Sequence, residues 1–135
     1  MPERTSFEYA ILRVVPRVER EEFINAGVLL FCLARDFLAA RVELDVDRLR
    51  ALAPDVDVQL VRDHLDAFPR ISAGDPDSGP IGKLPLKERW HWLVAPRSTI
   101  VQVSPVHTGL CGAPQLELER LMDQMVRVTR RTSDR

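Results

Sequence analysis

Arg97, Ser98 and Thr99, followed by His107 and Thr108, give one stretch of this 135-residue sequence the side chains of an anion site. Arginine is a permanently charged fork of donors that suits phosphate or carboxylate. Hydroxyls and backbone amides near a helix end add further donors, and a histidine can carry a proton. The stretch from Pro96 to Gly112 contains no acid, and none occurs anywhere from Arg89 to Leu116. Arg89 supplies a second fork just upstream, with Glu88 beside it. Two more constellations lie near the start. In "REEFINAGV", Arg20, Glu22 and Asn25 precede Gly27. Arg13 interrupts a row that otherwise reads Phe7, Tyr9, Ile11 and Val15. A charge in an apolar row must reach water or pair, so Glu22 is its expected partner, with a ligand contact as the alternative.

Spacing removes the better-known chemistries. Lys83 follows Gly82, but Asp77 stands where a P-loop needs glycine and Leu84 where it needs Ser or Thr. No G-x-S-x-G elbow surrounds Ser98, and no aspartate near it orients His107. His107 and Cys111 are four residues apart with no second pair, so neither a metal nor a cofactor is expected. His64 reads as a boundary residue of a helix and His91 as helix surface.

These side chains must be positioned by a modest set of elements. "FEYAILRVV" is a strand ending at Pro16, apolar on both faces and therefore central. "RVEREE" is a charged turn or short helix, and Phe23 to Leu33 is a second strand. Phe37 to Leu44 is a third, joined to the second as a hairpin, with Leu38, Ala40, Val42 and Leu44 inward and Arg41 and Glu43 outward. Asp45 caps a short helix that ends at Ala53, and Asp55 or Asp57 caps another carrying Val58, Val61, Leu65 and Phe68. Ala73 to Lys83 is a loop by its glycines and prolines. "LPLKERWHWLVAP" is a third helix, and "STIVQVS" a fourth strand. Pro114 opens a last helix with Leu118, Leu121, Met122, Met125 and Val128 as its buried stripe. The expected architecture is one α+β domain over residues 1–135: a small, mainly antiparallel sheet of about four strands covered by helices, in the order β-β-β-α-α-α-β-α. A seven-residue fourth strand would hold Arg97 and His107 ~20 Å apart, and the alternative for both ends is a turn and a helix lead-in.

Composition narrows the setting. Hydrophobic residues make up 45% and charged residues 29%, which is globular usage. Net charge is −1, so neither nucleic acid nor a membrane surface is favoured, although Arg127, Arg130, Arg131 and Arg135 cluster near the end. The longest apolar run, Ala26 to Ala34, is far short of the ~20 residues of a membrane helix. Two cysteines, Cys32 and Cys111, make no disulfide framework, and a cytoplasmic location is expected.

The chain resembles a bacterial family catalogued as domain of unknown function 3037, from about Tyr9 to Val128. "YAILRVVP", "EFINAGV" after an arginine, and "ERWHWLVAPRSTIVQVSPVHTGLC" carry the resemblance. It points to Arg13, Arg20, Glu22, Asn25 and Gly27, and then to Glu88, Arg89, Arg97, Ser98 and His107. Many relatives place an Asp or Asp-Pro after the late cysteine, whereas this chain reads Gly112-Ala113-Pro114 and so lacks that acid. Members are often encoded beside a kinase-like protein of the HipA type, which implies such a protein as partner. Two functions are compatible with these residues. One is a non-enzymatic accessory domain that docks a protein. The other is an enzyme or ligand binder for a phosphate-bearing anion, with Arg89 and Arg97 as clamp and Glu22, Glu88 or His107 as acid and base.

Overall fold

A computed structural model describes residues 3–127 of the chain. Its centre is β1 (Thr5–Val14), followed by β2 (Ile24–Cys32) and β3 (Phe37–Val42). Because β1 is apolar on both faces, it can be buried on both, and it carries strands on either side. β2 lies along one edge and β3 beyond it; β4 (Val101–Val103) and β5 (His107–Cys111) share the other edge. Every pairing is antiparallel. Glu21 and Asp36 take left-handed backbone, with φ of 57° and 52°, at the two turns that separate β1, β2 and β3.

Three helices cover one face: α1 (Val46–Leu52), α2 (Val58–Ser72) and α3 (Leu86–Leu93). The Asp45 side chain accepts from the Arg48 N–H and the Asp57 side chain from the Leu60 N–H, both at 3.1 Å, so each aspartate starts its helix by satisfying a free amide. Leu49, Val61, Leu65, Phe68, Trp90 and Leu93 pack there against Ala10, Leu12, Val14 and Phe31. The other face receives α4 (Pro114–Met125), through Leu118, Leu121, Met122 and the following Val126, onto Phe7, Ile11, Val28 and Leu30.

The α+β class and the element order agree with expectation, with three local corrections. The fourth strand is shorter than Ser98–Ser104, and the segment from His107 read as a loop is a strand. Ten residues of β1 are enough to pair β4 and β5 end to end. Between them the buried Ser104 Oγ accepts from the Ile11 N–H at 2.8 Å, where a carbonyl would otherwise sit, and Pro105 then turns the chain. Arg41 and Glu43 are exposed, as expected, and form ion pairs with Glu119 and Arg127. Met125 is exposed and Val126 is buried in its place, while Val128 and the arginines at 130, 131 and 135 lie outside the described residues. Gly27 is required by a close approach: a Cβ there would stand 2.7 Å from the Arg41 carbonyl oxygen.

Candidate anion-binding site

Arg13 and Arg97 converge. Arg13 lies opposite Asn25 on β2 and Gln102 on β4, just past a bulge in the β1–β2 ladder. Arg97 follows α3, and its Nη2 donates to the Trp92 and Leu93 carbonyl oxygens at 2.9 and 3.1 Å. Both carbonyls lie in the last turn of α3, the Trp92 oxygen also accepting the Ala95 N–H at 3.3 Å, so the cation complements the helix dipole. Both arginines line one cleft of about 420 Å³, together with Ser98, Gln102 and Phe23. Glu19 and Glu21 line it too, but both are exposed. Among the described residues no carboxylate forms an ion pair with either guanidinium.

The expected Arg13–Glu22 ion pair does not form. Glu22 instead accepts from Arg20 Nε at 2.6 Å, on the exposed turn two residues away. The bulge sets Arg13 opposite Asn25, and its guanidinium carbon lies 4.3 Å from the centroid of the Phe23 ring. Its Nε is buried without a partner. Asn25 is engaged elsewhere, donating Nδ2 to the Met125 carbonyl oxygen at 3.0 Å and so closing α4.

The expected clamp of Arg89 with Arg97 also does not form. Arg89 donates Nη1 to the Leu84 carbonyl oxygen at 2.8 Å and Nη2 to that of Ser72 at 3.3 Å. It ties the end of α2 to the approach to α3, and it lines neither cavity that Arg97 lines. Glu88 is exposed on the first turn of α3, where its charge suits the helix dipole. His107 is exposed on β5 opposite Tyr9, with ring centroids 5.3 Å apart. Gln102 opposes Arg13 and His107 opposes Tyr9, so four residue steps along β1, ~13 Å of strand, separate His107 from the Arg13 end of the cleft.

Arg97 faces a second cavity as well, of about 570 Å³, between α2 and the end of α3. Burial pushes its pKa below the ordinary arginine value. Among the described residues no group of three His, Cys, Asp or Glu could hold a metal ion, and no helix is long and apolar enough to cross a membrane. Cys32 and Cys111 are free and buried, and burial, reinforced by Cys32, pushes the Cys111 thiol up.

Gln102 and Phe23 were missed in the sequence. A signal for Gln102 was present, because it is the polar residue between two valines in a strand; that Arg13 is its neighbour across the ladder is visible only in the structure. Phe23 had no comparable signal, since nothing local tells that its ring leaves the core.

Fold and site together define a small α+β domain with a two-arginine cleft at one end of its sheet. The chain belongs to the family described as "Protein of unknown function (DUF3037)", which matches over residues 9–126. No curated protein and no solved structure matches it.

Proposed function

We propose that this domain is a non-enzymatic binding module whose recognition element is the Arg13–Arg97 cleft, and that the cleft takes a phosphate or carboxylate group from its partner. The carrying observation is that Arg13 and Arg97 line one cleft beside Ser98 and Gln102 and that neither forms an ion pair among the described residues, the exposed Glu19 and Glu21 of the same cleft included. Two forks around one concavity suit an anion that offers several acceptor oxygens. Glu22, Glu88 and His107, the acid and base of the enzymatic reading, line no wall of this cleft. Val18 and Phe23, at 45% and 43% exposure, give it an apolar margin of the kind a protein partner covers. The HipA-like kinase is the proposed partner, on the family resemblance, and a reducing cytoplasm is the proposed setting for its free thiols.

Titration with inorganic phosphate at constant ionic strength, followed by amide chemical shifts, tests the cleft. Saturable shifts around Arg13, Ser98 and Gln102 are expected, and Arg13→Gln or Arg97→Gln weakens binding about tenfold or more, ~1.4 kcal/mol. Unchanged affinity in both variants sinks the reading. For the partner, co-expressed domain and kinase should co-elute at micromolar concentration, where an interface of about −8 kcal/mol persists. Separate elution removes the kinase.

A further inference from the structure

The 570 Å³ cavity on the helical side of Arg97 is unlike the two-arginine cleft. Phe68, Ile71, Leu93 and Val101 make it largely apolar, and Asp63, His64, Arg97 and Thr99 are its polar groups. A space of that size accommodates an aromatic ring with a short chain. The Arg97 guanidinium carbon lies 5.0 Å from the Trp92 ring centroid and 5.1 Å from that of Phe68, a flat cation set against two aromatic rings. Nη2 is spent on the end of α3. The charge is partly desolvated, as the lowered pKa reflects, and among the described residues no carboxylate forms an ion pair with it.

We infer that this cavity is a second binding site, for a small aryl carboxylate whose ring fills the apolar interior and whose carboxylate meets Arg97. A monoanion fits better than a phosphate for two reasons. Only one fork faces this side, and one fork matches one carboxylate. The Asp63 carboxyl at the cavity, which accepts from Gln59, opposes any anion and a doubly charged one more strongly. The Thr99 hydroxyl already donates to the Val101 carbonyl oxygen at 2.8 Å, so it adds no free donor.

The site shares Arg97 with the phosphate-binding cleft but not Arg13, and that separates the two proposals. Full-length chain is titrated with 4-phenylbutyrate, with 4-phenyl-1-butanol and acetate as probes of ring and charge alone. Saturable binding at roughly millimolar concentration or tighter is expected for 4-phenylbutyrate, with shifts centred on Phe68, Ile71, Trp92 and Val101. Acetate and the alcohol should bind about tenfold more weakly or worse. Ala67 is exposed on α2 and lines the cavity, so Ala67→Trp should fill it and abolish binding, whereas Arg13→Gln should leave it unchanged. The inference is overturned if the alcohol binds as tightly as the acid, if the shifts centre elsewhere, or if Arg13→Gln abolishes binding. Should Ala67→Trp fail to fold, the acid–alcohol pair on the unaltered chain still decides. Loss of phosphate binding alone touches only the two-arginine cleft.

Discussion

Arg89 and Arg97 sit eight residues apart on the same acid-free segment, and both are half-buried arginines that donate to backbone carbonyls near a helix end. They differ in what is left over. Arg89 uses both terminal nitrogens, on Leu84 and Ser72, in joining two connections of the chain, and the Nε it leaves without a partner is buried and lines neither cavity of Arg97. Arg97 uses one, and its side chain lines two cavities. An arginine's sequence context announces the charge but not whether the fork is already full. That is decided by which carbonyls the fold leaves unpaired within reach.

The sharpest way to break this contrast is to remove Arg89. Two charge-assisted hydrogen bonds to partly buried carbonyls would be lost, so Arg89→Met should destabilise the domain by about 2–4 kcal/mol in urea unfolding. Its phosphate affinity, measured under conditions where it stays folded, should be unchanged. A stable Arg89→Met that no longer binds phosphate would reverse the two roles.

A neutral side chain that does the same kind of backbone work sharpens the point. Ser104 is buried and its Oγ accepts from the Ile11 N–H, across the gap between β4 and β5. Ser104→Ala leaves that amide unsatisfied and should cost about 1–3 kcal/mol, with faster hydrogen exchange at Ile11 than at Leu12 as the local readout. Equal exchange at both amides would mean that water replaces the hydroxyl.

These examples also mark how far the sequence could be read. Asp45 and Asp57 were legible as caps because capping is settled within three residues of chain. The helix stripes and the central position of β1 were legible from periodicity. β5 was not, because what makes His107–Cys111 a strand is the unused length of β1 opposite it, a partner about a hundred residues away. The Arg13–Glu22 pairing failed for a similar reason. Charge complementarity proposed the pair, but a bulge and a nearer partner, Arg20, disposed of it. Of the candidate residues, Arg13, Arg97 and Ser98 meet in one cleft; Arg20, Glu22, Asn25, Glu88, Arg89 and His107 are placed elsewhere.

The smallest expected effect lies at the Arg20–Glu22 pair, an ion pair in which neither side chain is buried. Arg20, chiefly by its hydrogen bond, holds the Glu22 carboxyl below the ordinary carboxylate value. A depressed carboxylate contributes stability above its unfolded pKa and loses it as pH falls through the folded one. The pair should therefore act only above the acid range, and weakly, because exposed pairs are screened by water and salt. Arg20→Gln should leave the melting temperature at neutral pH within error of the parent and flatten what little acid dependence this pair contributes. Phosphate affinity should also hold, since neither residue lines the Arg13–Arg97 cleft. A marked loss of phosphate binding in Arg20→Gln would mean that the exposed turn before β2 folds over the cleft, and that a third arginine belongs to the site.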